Sequence, residues 1–270
     1  MSNLTAGLSA SAEISALVSS TQKAALALAP NTAQVWPGGA IFNSITAAMN
    51  SISGGSPQEQ YQIAVGSGTF NENVVMKDYV YVVGAGQDVT IITAPPQMNF
   101  TAGVVNSCSG GGISELTINA PGGGWGTCPI GIKIVGSGSF HVSGVTINSG
   151  TGGVGDNVRG LSNNTGSYAG NLIIGSSIIN LTANSQSTCV GIELFGGGGM
   201  TMLINLTTIQ VAANAQNFGV STAIGANVTL EDSKIIADTW ALYNSDNSSP
   251  ITANQCTIQG PVSSGVVVNN

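Results

Sequence analysis

Residues 116–119 read Leu116-Thr117-Ile118-Asn119, and the pattern returns 29 residues later as Val145-Thr146-Ile147-Asn148. Weaker copies follow at Ile178-Ile179-Asn180, Thr208-Ile209-Gln210, Lys234-Ile235-Ile236 and Thr257-Ile258-Gln259. The residues that we expect to face inward are spaced by 29, 32, 30, 27 and 22 positions, and they are Ile118, Ile147, Ile179, Ile209, Ile236 and Ile258. A repeat of about 20–50 residues indicates a solenoid, whose units stack on one another.

A second signature, glycine followed by apolar residues, drifts along the chain with the same period. It occurs at Gly103, Gly131, Gly160, Gly191, Gly219 and Gly265, with Ala241 in the one missing place. Each repeat holds two or three short strand patterns and no helical pattern, which favours a β-solenoid over the leucine-rich and ankyrin types. The uneven repeat argues against a left-handed hexapeptide helix. A propeller blade needs four strands and about 40 residues, which these repeats lack.

The alternation of side chains along a strand predicts which residues form the interior. Leu116 and Ile118 should face inward, with Glu115 and Thr117 outward. Stacked strands stand about 4.8 Å apart, so about seven coils would make a rod roughly 35 Å long. The fold class that we predict is therefore all-β, a parallel β-helix.

Two helical patterns precede the repeats. Residues 8–28 are rich in Ala and Ser, and an apolar stripe falls on Ile14, Leu17, Val18, Ala25 and Leu28 before Pro30. This stripe needs a partner, which is either the solenoid or another subunit, so the helix is a candidate for homo-oligomer formation. We therefore divide the chain into an N-terminal helical segment, residues 1–35, and a β-helix domain, residues 36–270.

The second helical pattern covers residues 41–53 and should close the first coil. Its apolar face is Ile41, Ile45, Ala48, Met49 and Ile52. The end of a β-rod exposes unpaired strand edges and needs such a cover.

The composition excludes several classes of partner. Charged residues make up 6% of the chain, the net charge is −7, and Lys and Arg number only five. So few cations cannot neutralise a run of phosphates, which excludes nucleic acid and an anionic membrane surface as partners.

No secretory signal is visible, because the first cation is Lys23. We expect an extracellular or virion-associated location.

Residues 42–92 resemble the start of the pectinesterase-type domains in the pectin-lyase-like β-helix superfamily. The resemblance rests on the segments 42–49 (Phe-Asn-Ser-Ile-Thr-Ala-Ala-Met), 61–65 (Tyr-Gln-Ile-Ala-Val), 68–74 (Gly-Thr-Phe-Asn-Glu-Asn-Val), 83–86 (Val-Gly-Ala-Gly) and 90–92 (Thr-Ile-Ile). It implies a right-handed parallel β-helix with a capping helix. The polar row Asn119, Asn148, Asn180, Gln210 and Gln259 also resembles the asparagine ladders of these folds.

The catalytic residues of the superfamily have no match in this chain. Pectinesterases use two aspartates, glutamines and an arginine on neighbouring coils, and Gln87-Asp88 lies too early to supply them. Polygalacturonase-like hydrolases use several aspartates with a histidine, and pectate lyases use acidic calcium ligands with a basic residue. This chain has one arginine, Arg159, and one histidine, His141. Fold alone does not define the activity.

The candidate site lies on one flank of the rod, where the long loops precede the glycine signature. Trp125, Asp238 and Trp240 are the candidate substrate-binding residues of this lateral groove, because aromatic faces stack on sugars and carboxylates bind hydroxyls. The candidate catalytic residues are Asp156, Arg159 and Glu193, because two carboxylates and a cation could act on a sugar linkage. The alternatives are ordinary loops with self-packed aromatics and a structural ion pair.

Metal and cofactor chemistry have little support in the sequence. His141 alternates with Phe140 and Val142, so it should point outward, and no second ligand stands at zinc spacing. Cys128 and Cys189 fall about two coils apart, too far for a disulfide, so we expect free thiols among the four cysteines. We predict no metal and no cofactor.

Two functions remain open. The first is a carbohydrate-directed β-helix that binds a polysaccharide in the lateral groove and, as an enzyme, would cleave it in the manner of a polysaccharide lyase or glycoside hydrolase. The second is a non-catalytic structural or adhesion module, such as a phage tail or surface fibre protein. The aromatic and charged residues of the flank favour the first. The low charge, the missing catalytic set and the N-terminal segment favour the second.

Overall fold

The protein is a parallel β-solenoid, and it is described from a computed structural model. The structure describes residues 31–39, 41–95, 98, 102–120, 130–150, 157–163, 168–183, 188–195, 199–213, 216–223, 225–246 and 250–269. These residues form 23 strands and one α-helix. Within these ranges, no helix has the length and apolar character needed to cross a bilayer.

The strands are short and follow one another along the whole described chain. The first twelve are β1 (Thr32–Val35), β2 (Tyr61–Val65), β3 (Gly68–Asn71), β4 (Val74–Val75), β5 (Val80–Gly84), β6 (Thr90–Thr93), β7 (Gly103–Asn106), β8 (Gly111–Ala120), β9 (Ile130–Lys133), β10 (Ser137–Ser149), β11 (Asn157–Ser162) and β12 (Ala169–Gly175). The others are β13 (Ile178–Ala183), β14 (Thr188–Phe195), β15 (Met200–Asn205), β16 (Thr208–Ala213), β17 (Asn217–Ala223), β18 (Ala226–Glu231), β19 (Lys234–Ala237), β20 (Trp240–Asn244), β21 (Ile251–Asn254), β22 (Thr257–Gln259) and β23 (Val266–Asn269).

Parallel pairing arranges these strands into three faces. The first face has the order β1-β2-β5-β8-β10-β12-β15-β18-β21-β23. The second face contains β3, β6, β13, β16, β19 and β22, together with the C-terminal halves of β8 and β10, which continue around the corner from the first face. The third face has the order β4-β7-β9-β11-β14-β17-β20. Its seven strands are close to the predicted number of about seven coils.

The interior is made of stacked apolar columns, as the repeat predicts. On the second face, Ile118, Ile147, Ile179 and Ile209 stand in register and are buried. The prediction for the next coil was wrong, because Ile235 continues the column and is 0% exposed, whereas Ile236 pairs with Gln210 on the outside. Lys234 takes the outward place of Thr208, so the residue that follows it must point inward.

Glycines form a second column beside the isoleucines, on the third face. A Cβ atom on Gly160 would come within 2.6 Å of both the Gly191 carbonyl oxygen and Ile179 Cγ2, so the chain can pass this close to its neighbours only without a side chain. Two members of the predicted glycine series were wrong. Gly103 pairs with Ile130 and is therefore one position out of register, and Gly265 precedes β23 on the first face.

From β8 onward, the corner between the first and second faces is formed by one residue with left-handed backbone on each coil. The residues with positive φ at this corner are Glu115, Gly144, Ser176, Leu206, Asp232 and Gln255. The residue that follows the corner points inward, and on three coils it is Ser177, Thr207 or Ser233, each buried with its hydroxyl bonded to a backbone carbonyl of the turn. These hydroxyls satisfy the polar groups that a tight corner would otherwise leave buried.

The predicted polar ladder is present on the outside of the second face. Asn148 Nδ2 donates to Asn119 Oδ1 at 3.1 Å, and Asn180 Nδ2 donates to Asn148 Oδ1 at 3.5 Å. Gln210 continues the row in register, and Ile236 interrupts it.

Helix α1 (Ile45–Ser51) closes the N-terminal end of the rod. It buries Ile45, Ala48 and Met49 but is shorter than the predicted range, and Ile41 lies before it with 46% of its surface exposed. Ser44 caps the helix, and the Glu72 carboxylate accepts hydrogen bonds from the Ile45 and Thr46 amides at 2.9 and 2.8 Å.

The helix predicted for residues 8–28 lies outside the described residues. Thr32–Val35, which we assigned to the N-terminal segment, is strand β1 and pairs in parallel with β2. The solenoid sheet therefore includes these four residues, and the rest of the division at residue 35 stays a prediction.

Candidate functional site

The outer surface of the third face carries three of the predicted site residues, which are Arg159, Glu193 and Trp240. Its residues stand in two outward columns. The first outer column is Arg159, Val190, Phe218 and Trp240. The second outer column is Asn106, Lys133, Ser162, Glu193, Ser221 and Tyr243. We call these two columns together the third-face surface, although two of their members, Val190 and Ser162, are buried.

The two columns lie side by side because the strands are irregular at the glycine column. Val158 and Leu161 are both completely buried, although an even alternation would place only one of them inside. Arg159 and Ser162, three residues apart, both lie on the outer columns. The irregularity at the glycine therefore moves the second outward side chain one residue further along the strand.

Arg159 and Glu193 form an ion pair between successive coils. Arg159 Nε contacts Glu193 Oε2, and the two side chains are only 14% and 12% exposed. Ser162, which is in register with Glu193, donates its hydroxyl to the same Oε2 atom at 2.9 Å. The sequence placed Glu193 one coil beyond Arg159, and the structure brings the two side chains together.

Three aromatic rings gather next to this pair, toward the C-terminal end of the rod. The ring centroids of Phe218 and Tyr243 are 5.3 Å apart with an interplanar angle of 55°, and those of Trp240 and Tyr243 are 5.5 Å apart at 42°. These are favourable tilted arrangements, and all three side chains are half-buried. Phe218, Trp240 and Tyr243 are the aromatic cluster of the third-face surface.

Tyr243 was not predicted as a site residue. A signal for it existed, because Gly191-Ile-Glu193, Gly219-Val-Ser221 and Ala241-Leu-Tyr243 occupy the same place in three repeats. Any residue at this third position belongs to the second outer column.

The other predicted residues have different outcomes. Asp238 is exposed and lies in the turn between β19 and β20, two residues before Trp240. Asp156 and Trp125 lie outside the described residues, as does Cys128. The approach of Asp156 to Arg159 and Glu193 therefore stays a prediction.

Asn217 belongs to the scaffold of this flank. It is fully buried, its Oδ1 accepts from the Thr239 amide at 2.7 Å, and its own amide donates to Thr239 Oγ1 at 3.1 Å. These two bonds connect the first residue of β17 to the residue before β20, and they hold Phe218 and Trp240 at a fixed spacing.

The histidine and the described cysteines do not contribute to the two outer columns. His141 is on the outside of the first face between buried Phe140 and Val142, as predicted. Cys189 lies on β14 but is buried, and Cys108 and Cys256 are free cysteines. Burial raises the pKa of the Cys108 thiol to about 12, with a smaller contribution from the Asp78 carboxylate, so this thiol is unreactive at neutral pH.

The charges of the third-face surface differ from those of the whole chain. The outer columns contain two of the five cations of the chain, Lys133 and Arg159, and one carboxylate, Glu193. The chain as a whole has a net charge of −7. Among the residues that the structure describes, no group of three His, Cys, Asp or Glu side chains is arranged to bind a metal ion.

Comparison with solved structures identifies the fold. The carrot pectin methylesterase matches with a TM-score of 0.55 at 15% identity, over 88% of this chain and 86% of the enzyme. The Aspergillus niger pectin methylesterase matches with a TM-score of 0.53 at 14% identity, over 88% of each chain. A pectin methylesterase variant in complex with a hexasaccharide gives 0.50 at 10% identity, over 88% of this chain and 92% of the enzyme.

The similarity does not extend to the level of sequence families. No family model matches the chain, and no curated protein matches its sequence. Identities of 10–15% identify a shared fold and leave the chemistry to be argued from the residues. This chain therefore has the right-handed parallel β-helix fold that these pectin methylesterases share.

Proposed function

We propose that this chain is a carbohydrate-directed β-helix protein that binds a polysaccharide along its third-face surface. The observation that carries the proposal is that the aromatic cluster and the Arg159–Glu193 pair lie on neighbouring strands of one outer face. A sugar ring offers an apolar face and a rim of hydroxyls. Aromatic side chains stack on the apolar face, and charged side chains form hydrogen bonds with the hydroxyls.

The shape of the surface also suits a linear polymer. Both outer columns run along the rod, with successive coils about 4.8 Å apart, so similar contacts recur along one line. Lys133 and Arg159 supply cations at the N-terminal part of this line, and Phe218, Trp240 and Tyr243 supply rings at the C-terminal part. Pectin methylesterases share the fold, and one of them is described in complex with a hexasaccharide.

Binding fits the observed contacts better than cleavage does. Glu193 Oε2 is engaged by both Arg159 and Ser162, which holds the carboxylate as an acceptor rather than as a proton donor. The second version of the proposal is that the chain also cleaves the polysaccharide that it binds. It requires Asp156 to approach Glu193, with Arg159 neutralising an acidic sugar.

A binding panel tests the proposal. Affinity electrophoresis and calorimetry would use polygalacturonate and alginate as acidic polymers, with dextran and xylan as neutral ones. We expect retention by at least one polymer, and about tenfold weaker binding for Trp240→Ala and Tyr243→Ala. Trp36→Ala is the matched control, since Trp36 is 40% exposed at the other end of the rod. Binding to no polymer, or equal loss in the control, would overturn the proposal.

Turnover is measured on the same panel. Release of reducing ends or unsaturated products that disappears in Glu193→Gln and Asp156→Asn would establish cleavage. Binding without such products would leave a carbohydrate-binding module.

The alternative is a non-catalytic structural or adhesion module, such as a phage tail or surface fibre protein. Two observations favour this alternative: the catalytic residues of the superfamily have no match, and the Glu193 carboxylate is already engaged by Arg159 and Ser162. In that case the third-face surface would bind no soluble polysaccharide, and the chain would form a defined assembly.

A further inference from the structure

The outward side of the first face is almost free of charge. Its central stripe runs without a gap through ten strands, from β1 to β23, and consists of Thr32, Gln62, Tyr81, Gly112, His141, Ile173, Leu203, Thr229, Thr252 and Val267. The only ionisable groups in it are the imidazole of His141 and the phenol of Tyr81.

Uncharged polar residues flank the central stripe. On one side stand Ser139, Asn171, Thr201 and Asn227, where Thr201 Oγ1 donates to Asn171 Oδ1. The column on the other side includes Ser143, Gly175, Asn205 and Asn254, and Glu231 is its one charged member. Glu231 is thus the one carboxylate in these three columns of a chain with net charge −7, and Glu115 and Asp232 stand beside them at the corner.

The middle of the stripe is apolar although it faces outward. Ile173 and Leu203 are in register on neighbouring strands, and both remain partly accessible. Val267, at the end of the stripe, is 52% exposed. An outward position on a solvent-facing sheet is normally polar, so contiguous aliphatic residues there indicate a surface that is covered.

The size of the face matches what one subunit contributes to a stable interface. Ten strands at about 4.8 Å and a usable width of about 20 Å give a flat area of about 900 Å². About 800 Å² per partner is the standard size of a specific protein–protein interface.

We infer that the first face is the surface through which copies of this chain associate, with the central stripes of two subunits in contact. A second copy is the occupant that the face suits, because contact between two such stripes buries no ion pair and no unpaired carboxylate. The amides and hydroxyls of the flanking columns remain at the rim, where water or the partner can satisfy them. The third-face surface stays open in this arrangement, so the inference is independent of sugar binding.

The test is the oligomeric state of the full chain by sedimentation velocity. We expect an oligomer for the wild type and loss of that oligomer in Leu203→Lys, because the substitution places like charges in the middle of the contact. The matched control is Gln210→Lys, which adds the same charge on the same coil but on the second face. It should keep the oligomer. Ile173→Lys is a second variant for the case in which Leu203→Lys fails to fold, as judged by circular dichroism.

Two results would overturn the inference. One is a monomeric wild type throughout the accessible concentration range. The other is an oligomer that persists in both Leu203→Lys and Ile173→Lys but dissociates in Leu17→Asp, which would assign association to the N-terminal segment instead.

Discussion

Arg159 and Glu193, on successive coils of the third face, form an ion pair whose two side chains are more than four-fifths shielded from solvent. Removing one partner of such a pair leaves a poorly solvated charge, which costs about 3 kcal/mol, whereas removing both partners costs much less. We therefore expect Arg159→Met to lower the free energy of unfolding by about 3 kcal/mol, and Arg159→Met combined with Glu193→Leu to recover most of it.

Urea denaturation of the two single variants and the double variant gives the coupling energy directly. Additive losses would mean that the two side chains do not interact.

The glycine column predicts a second effect on stability. In Gly160→Ala the new methyl group would meet Gly191 O and Ile179 Cγ2 at 2.6 Å, so the coil must shift, at a cost of about 1–3 kcal/mol. Gly175→Ala is the matched control, because nothing lies within 4 Å of a Cβ atom built there and the substitution should change stability by less than about 0.5 kcal/mol. Equal denaturation midpoints for the two variants would contradict this explanation of the repeated glycine.

The cap of the rod predicts a third effect. Glu72, on the coil that α1 covers, holds the first two amides of the helix, so Glu72→Ala should cost about 1 kcal/mol and expose those amides. Hydrogen exchange should accelerate at Ile45 and Thr46, while Ile118 in the middle of the rod keeps its protection. Uniform acceleration throughout the chain would instead indicate global destabilisation.

Alkaline pH should weaken the fold through two buried groups. Burial raises the pKa of Cys108 from 9.0 and that of Tyr168 from 10.0, in each case to about 12. The folded state thus disfavours the ionised forms, so the stabilisation is complete below pH 9 and is lost as the pH rises toward 12. We expect the free energy of unfolding to fall across this range.

Cys108→Ala separates the contribution of the thiol. This variant starts from a lower stability because it leaves a cavity, but its stability should decline less steeply between pH 9 and 12 than that of the wild type. Parallel curves from denaturant titrations at each pH would show that Cys108 does not contribute.

The repeat in the sequence was sufficient to predict the coil and most of its interior. The isoleucines of four coils lie where their spacing predicted, because a side chain that faces inward on one coil must stack on its equivalent in the next. Ile236 was misassigned because Lys234-Ile235-Ile236 offers two apolar residues, and only the register with Thr208 decides between them.

The site was harder to predict than the fold. The proximity of Arg159 to Glu193 follows from their positions in the repeat, but the three-residue spacing between the outward residues Arg159 and Ser162 comes from a strand irregularity that simple alternation does not predict. Tyr243 was missed although it occupies the same place in its repeat as Glu193 and Ser221. The hydrogen bonds between Asn217 and Thr239 could not be predicted, because they depend on how segments from different coils meet.

The left-handed corner between the first and second faces determines where the molecule can vary. The interval along this corner falls from 32 residues between Gly144 and Ser176 to 23 between Asp232 and Gln255, yet the corner itself remains one residue long on each of these coils. Differences in coil length are therefore absorbed by the strands themselves and by the other two edges, which border the third face. Insertions there can lengthen or reshape the rim of the proposed sugar site while leaving the rod unchanged. Specificity could thus diversify in related chains without a compensating change in the core.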